Sequence, residues 1–388
     1  MAPMDGIRRN IAVETEDAST PPRFEHDFID PAAGYDAWGG IAVGDFDGDG
    51  RPELTTGGKG GGFFFVYDYD PTTRAWSRST ITMDVSPQVS AAATDLDGDG
   101  RPEVVVGEWG PRLLYFVCDD GGLDAWTMHA VYEGLQNPHD LLAADLTGSG
   151  RDDVVVREKD GSLYRFVPPA DPTAAWPAWV IATELQGDGT VAAAVTATNG
   201  LDIITNQCWF ENAAGDGSRW VRRPLLPEDW DFHPESRIAY GTVGDDPTPV
   251  LVVTESEIRD ARIAVLRFVS PDRPWEPELL VDRDAHLGGL HTLQICDLDG
   301  DGRNEVFTAE MENERTDGTT RRPRWWTLSL RDGRWSRRAI LDRNLGAHMA
   351  TAADFDGDGR LEIVGKIWRA NAVNGADGQN HVDYLRRV

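Results

Sequence analysis
A motif recurring at a near-constant interval constrains this chain more than any other feature. Units of fixed length must either stack into an array or close into a ring. GDFDGDGRPELTTGG starts at Gly44, TDLDGDGRPEVVVGE at Thr94 and ADLTGSGRDDVVVRE at Ala144. CDLDGDGRNEVFTAE at Cys296 and ADFDGDGRLEIVGKI at Ala353 continue the series. The lead residues Asp45, Asp95 and Asp145 lie 50 apart. The gap from Asp145 to Asp297 is about three such periods, so two units have lost the motif. Their remnants are the apolar runs Leu201–Thr205 and Val250–Thr254, which resemble the strand after the motif in the other units.

A second landmark counts the units independently. Alternating segments headed by an aromatic begin at Trp76, Trp126, Trp179, Trp220, Trp275 and Trp335, and a seventh stands near the chain start at Phe24. Alternation with β-branched and aromatic residues gives four strands per unit; in the second unit they fall at about 89–95, 103–108, 112–118 and 126–133. No stretch keeps a 3.6-residue period, and 41 Gly with 23 Pro speak against a helical array. The expectation is an all-β, seven-bladed β-propeller of four-stranded blades spanning 23–388. The displaced N-terminal strand closes the last blade and removes an exposed edge. Residues 1–22 are expected to be a flexible segment.

Within each motif, Asp-x-Asp-x-Asp-Gly-x-x-Glu sets hard oxygen donors at alternate positions of a tight turn, with Gly at the sharpest point. Four copies are complete: Asp45/Asp47/Asp49/Glu53, Asp95/Asp97/Asp99/Glu103, Asp297/Asp299/Asp301/Glu305 and Asp354/Asp356/Asp358/Glu362. The third unit is eroded to Asp145/Thr147/Ser149/Asp153 and is expected to bind weakly or not at all. Oxygen-only donors favour Ca²⁺, giving about four structural sites. An EF-hand would need flanking helices and a Glu at loop position twelve, where Thr56, Val106, Thr308 or Gly365 stands. These loops resemble those of the FG-GAP/VCBS repeat family, known from integrin α-subunit heads and many microbial propellers. That family includes binding modules and enzymes alike.

Ring symmetry places residues of equal repeat offset at equal height around the axis. Six positions before the lead Asp stand Gly39, Val89, His139, His291 and His348, so three of the eight histidines share one offset. This offset begins the innermost strand, at the face opposite the acidic loops. At the far end of the next strand stand Glu108, Glu158 and Glu310, followed by turns that carry Lys59, Arg157, Lys159 and Lys366. Arg237 and Tyr240, near the fifth inner strand, are a candidate anion clamp and proton donor. Imidazoles with carboxylates in a concave mouth can hold Zn²⁺ or Mn²⁺, or act as base and acid. Lone histidines and turn charges are more often structural, so convergence carries the expectation. Long connections at about 311–322 and 369–380 should overhang the mouth.

Charge narrows the partners. With 66 acidic against 37 basic residues the net charge is −29, which argues against nucleic acid and anionic membrane. Three well-separated cysteines imply no disulfide framework. No apolar leader is visible before Asp17, so a cytoplasmic protein is expected, or a secreted one if a leader was removed. The mouth is similar to that of the aldos-2-ulose dehydratase propeller and, more loosely, to propeller polysaccharide lyases. That resemblance implies β-elimination on a sugar, hydroxy-carbonyl or uronate substrate. In that case His139, His291 and His348 would supply the base or hold a metal, Glu108, Glu158 and Glu310 would be ligands or acid, and Lys59, Arg157 and Lys366 would meet substrate charge. The alternative is a calcium-stabilised carbohydrate- or protein-binding propeller, with Trp38, Trp109, Trp209 and Trp368 as stacking surfaces. Hydrolysis by paired carboxylates also stays open.

Overall fold
The computed structural model describes residues 23–34, 37–58, 62–119, 121–196, 198–312, 322–370 and 374–388, with the backbone alone at 8–9 and 14–15. Blade 1 comprises Trp38–Gly44, Glu53–Gly58, Phe63–Asp70 and Ala75–Thr82; blade 2 comprises Pro87–Thr94, Glu103–Glu108, Arg112–Cys118 and Trp126–Glu133. Their innermost strands meet in one parallel bridge, Ile41 with Ser90, which fuses the two blades into an eight-stranded sheet. A Cβ on Gly39 would lie 2.4 Å from the Gln88 carbonyl oxygen, so this approach requires glycine there.

Blades 3 and 4 are separate four-stranded sheets whose innermost strands are Pro138–Ala144 and Thr190–Ala193. Blades 5, 6 and 7 start with Ser236–Val243, Leu290–Cys296 and Met349–Ala353. Each innermost strand touches the next, and that of blade 7 touches that of blade 1, so the cycle is closed. Five separate sheets and one fused pair thus fit a seven-bladed propeller. Among the described residues no helix is long and apolar enough to cross a membrane.

The middle strands are packed on both faces and read as unbroken apolar runs; Val104, Val105 and Val106 are all fully buried. Their side chains fill the wedge between neighbouring blades. Between blades 1 and 7, Tyr69, Trp76, Phe355 and Tyr384 interlock with ring centroids 5.1–5.6 Å apart. Innermost strands are built from small residues such as Ala91–Ala93, as crowding at the axis demands.

Closure follows expectation. Phe24–Asp30 pairs antiparallel with Val382–Arg387 as the outermost strand of blade 7. His26 Nε2 meets Asp383 Oδ1 at 2.8 Å, and His381 Nδ1 meets Asp383 Oδ2 at 2.6 Å, both buried. Within the segment expected to be flexible, the backbone of 8–9 pairs with the outermost strand of blade 5, and that of 14–15 with the outermost strand of blade 6. The rest of 1–22 lies outside the described residues.

Candidate functional site
His139 and His291 sit at the starts of their innermost strands, and His348 immediately precedes Met349–Ala353. All three are buried. The rings of His291 and His348 stack with centroids 3.8 Å apart at 22°. Arg237, from the innermost strand of blade 5, sends Nη2 to His291 Nε2 at 3.0 Å and Nη1 to Asp140 Oδ1 at 3.0 Å. The same Asp140 oxygen meets His139 Nδ1 at 3.0 Å. Its other oxygen accepts from the Gly189 amide at 2.6 Å and the Thr190 hydroxyl at 3.1 Å. Five blades therefore contribute to one cluster. Beneath it a cavity of about 170 Å³ is lined by Asp140, Thr190, Arg237 and His291, with Ser90 and Met349 from blades 2 and 7.

Hydrogen-bond partners fix two tautomers. The Nδ1 of His291 lies 2.7 Å from the His348 carbonyl oxygen, which can only accept, so Nδ1 carries the proton and Nε2 the lone pair. His139 Nδ1 likewise donates to Asp140, which in a neutral ring puts the lone pair on Nε2. Burial tends to raise the Asp140 carboxyl, but the His139 hydrogen bond and the Arg237 charge outweigh it and hold it well below the usual range. Burial pushes His291 down, helped by Arg237, and pushes His348 down, helped by His291 and Lys366. Both imidazoles are therefore uncharged. Lys366 is fully buried, donates to the Trp38 carbonyl and stands 3.3 Å from His348 Nδ1. Burial, then the Arg237 charge, drives its amine well below 10.5.

Other expected site residues are engaged elsewhere. Glu158 accepts from the Gln136 amide at 2.6 Å, and Glu310 from the Gly288 amide at 2.7 Å and the Trp326 indole at 2.8 Å. Each braces the loop three residues ahead of a mouth histidine. Glu108 is held bidentately by Arg112 at 2.6 Å. Arg157 is fully buried and donates at 2.7 Å to the carbonyls of Gly189 and Gln186, tying blade 3 to blade 4. Tyr240 packs against Trp275 in the core between blades 4 and 5. Trp38 and Trp209 are core residues, whereas Trp109 and Trp368 are half-buried with centroids 6.0 Å apart. Lys59 lies outside the described residues, as do 313–321 and 371–373 of the two long connections. Their described parts meet where Asn374 Nδ2 donates to Glu312 Oε2 at 3.3 Å.

Sequence reasoning missed Asp140, Asp188 and Glu257. Asp140 follows a mouth histidine directly, which was a usable signal. Asp188 lies in a unit without the motif. It is fully buried, accepts from the Ser236 amide at 2.8 Å, and its Oδ2 has no hydrogen-bond partner. Glu257 Oε1 stands 3.9 Å from His291 Nε2.

On the opposite face, four ligand oxygens of Asp45, Asp47, Asp49 and Glu53 lie within 4.8 Å of one another, as do those of Asp95, Asp97, Asp99 and Glu103. In the later loops three converge: Asp297, Asp299 and Glu305, and Asp354, Asp356 and Glu362. Glu53 Oε2 accepts from the Phe46 amide at 2.7 Å, while Oε1 is buried with no partner among the clustered carboxylates. This donor set fits a hard cation. Asp301 and Asp358 turn to arginines, the former to Arg331 Nη2 at 3.1 Å. Arg331 Nη2 also lies 2.7 Å from Glu305 Oε1. In the eroded loop Arg165 reaches Asp153 at 3.0 Å, and no carboxylate cluster forms among the described residues.

Residues 45–106, 95–156 and 297–365 match the FG-GAP-like repeat. The chain therefore carries FG-GAP-like repeats on a propeller arrangement. No curated protein matches it.

Proposed function
We propose that the channel mouth is the active site of a carbon–oxygen lyase acting by β-elimination on a small sugar, hydroxy-carbonyl or uronate substrate, as the sequence resemblance to dehydratase and lyase propellers implies. The reading rests on one shared carboxylate: Asp140 binds His139 Nδ1 and Arg237 Nη1 through a single oxygen, each at 3.0 Å. The base and the cation are thereby fixed relative to each other, and Asp140 and Arg237 line a cavity of about 170 Å³, room for a compact substrate.

His139 Nε2 takes the proton α to the substrate carbonyl, and the C–H electrons form an enolate. Arg237 stabilises the charge developing on oxygen. Collapse of the enolate makes the C=C bond and breaks the β C–O bond. The His139 imidazolium returns its proton to the departing oxygen, so water or an alcohol leaves and the protein is regenerated. Asp140 keeps the imidazole in the tautomer this requires.

Calcium is the structural half of the proposal. The loops at 45–53, 95–103, 297–305 and 354–362 would hold it between the innermost and second strands. Clustered carboxylates repel one another unless a cation intervenes.

A purely binding role is favoured by Trp109 and Trp368, half-buried aromatics beside His348, whose ring lies 5.2 Å from Trp368. The experiment that separates the two is incubation with keto-sugars and uronate oligosaccharides while following the ultraviolet absorbance of a conjugated product. The lyase reading expects a signal that His139→Asn removes. Saturable binding without any product would support the binding role.

A further inference from the structure
We propose that the channel beneath the histidine cluster is a hydroxyl-reading subsite, in which Ser90 and Thr292 select a neutral polyhydroxylated substrate over a uronate. One repeat offset builds it. Five positions before the lead Asp stand Gly40, Ser90, Asp140, Thr292 and Met349, and all but Gly40 line the cavity of about 170 Å³. Strand pairing puts Arg237 at the same level. It pairs with Thr254, the residue before Glu255, as Asp140 pairs with Arg157 before Glu158 and Thr292 with Ala309 before Glu310. Thr190, which starts the innermost strand of blade 4, adds to the wall.

Hydrogen-bonding capacity at this level is unevenly taken up. Asp140 is fully engaged: one oxygen accepts from His139 and Arg237, the other from the Gly189 amide and the Thr190 hydroxyl. Thr190 gives its proton to Asp140 and keeps an oxygen that can accept. Thr292 is different. It is buried, and its Oγ1 has no hydrogen-bond partner. Folded proteins keep few such hydroxyls, because each one costs stability. A staggered step of χ1 re-aims this hydroxyl without moving the strand. A ligand hydroxyl in the cavity then supplies the missing partner, and Ser90 offers a second hydroxyl from the far side of the ring.

The same wall sets the charge of what it accepts. Arg237 is the one cationic side chain among the described residues lining the cavity, and Asp140 already pairs with it at 3.0 Å. A substrate carboxylate in the channel would face hydroxyls together with the apolar Leu293 and Met349, an anion with no free counter-charge. A neutral hydroxylated chain would meet polar groups with its oxygens and apolar side chains with its carbons. A site built to pair a substrate hydroxyl rejects the analogue that lacks it.

The part this subsite plays in elimination rests on the lyase reading; its binding does not. The test is therefore calorimetric titration of the whole protein, without turnover. The probes are D-erythrulose, D-xylulose and D-fructose, the monodeoxy forms of the tightest of these, and D-galacturonate. A neutral ketose should bind, with D-galacturonate roughly tenfold weaker. Thr292→Val and Ser90→Ala should each weaken the ketose about 2- to 10-fold, as for one lost hydrogen bond. Thr292→Val should make no further difference to the monodeoxy form lacking the hydroxyl that Thr292 pairs. Its Tm should be no lower than that of the wild type, since an unpaired buried hydroxyl is removed. Unchanged ketose affinity in both variants, D-galacturonate bound as tightly as the ketose, no ketose bound at all, or a lowered Tm in Thr292→Val protein would overturn the proposal. A ketose that binds in this pattern and is not turned over would overturn only the lyase reading.

Discussion

The imidazoles of His291 and His348, 57 positions apart in the chain, stack with ring centroids 3.8 Å apart. They occupy the same offset in consecutive blades, so their contact is a direct consequence of a repeat wrapped around an axis. Arg237 and the His139–Asp140 pair complete the cluster from the other side. Everything proposed for the mouth depends on these groups acting on one bound molecule.

Asp140 is the joint between base and cation, and its removal should be felt at both. Asp140→Asn offers His139 a group of the wrong polarity and loosens Arg237. Turnover should fall by about 100- to 10,000-fold, the range spanned by loss of a general base. Arg237→Lys keeps the charge but cannot reach Asp140 and the mouth together. It should cost about 100- to 1,000-fold in kcat, as for a lost oxyanion donor, with a smaller change in KM. Steady-state kinetics on the two variants check both.

Calcium should stabilise the fold through the loops on the opposite face. At a concentration one hundred times its dissociation constant, a ligand that binds only the folded state adds about 2.7 kcal/mol per site. Chelation should therefore lower Tm. Asp47→Asn should remove part of the calcium effect, while Thr147→Ala in the eroded loop should leave it unchanged. Arg331 occupies three carboxylates of the 297–305 loop, lying 2.7 Å from Glu305 Oε1. Arg331→Met should raise calcium affinity at that loop, visible by calorimetry as one tightened site.

Blade closure carries its own pH dependence. His381 lies between Asp383 and Glu312 at 2.6 and 3.3 Å. Burial alone would lower it, but the two carboxylates win and push it from its ordinary 6.5 up to about 10. A raised folded-state value means that protonation favours folding. The contribution is fully present below about 6.5 and is lost as pH rises through about 10. Urea denaturation across this range should show stability falling toward alkaline pH. His381→Gln should flatten that slope and cost about 3–5 kcal/mol at neutral pH, as for one partner removed from a buried ion pair.

Much of this architecture was legible because repetition amplifies weak signals. One unit's alternation would be ambiguous, but the strands expected in the second unit agree with Pro87–Thr94, Glu103–Glu108, Arg112–Cys118 and Trp126–Glu133 to within two residues. The shared offset of His139, His291 and His348 foretold their convergence for the same reason. Glu158 and Glu310 also repeat, yet their periodicity has a structural origin, since each caps the amide of the loop entering its blade. An offset fixes height around the ring and leaves open whether a side chain faces the axis or its own turn. Tyr240 obeys strand parity instead: three residues after Arg237 it falls on the opposite face and packs in the core beside Trp275. Asp188 and Glu257 come from the two units that lost the motif, where no register existed to align them.

Proton abstraction is the step that the mouth is proposed to perform, and it can be watched without knowing the final product. The measurement is proton NMR of hydroxy-carbonyl sugars and uronates in D₂O with the purified protein. Loss of the signal α to the carbonyl, by exchange or elimination, is expected with the wild-type chain and should vanish with His139→Asn. If no substrate exchanges, or if His139→Asn protein exchanges as fast as wild type, His139 is not the base and the mouth is not the catalytic centre described.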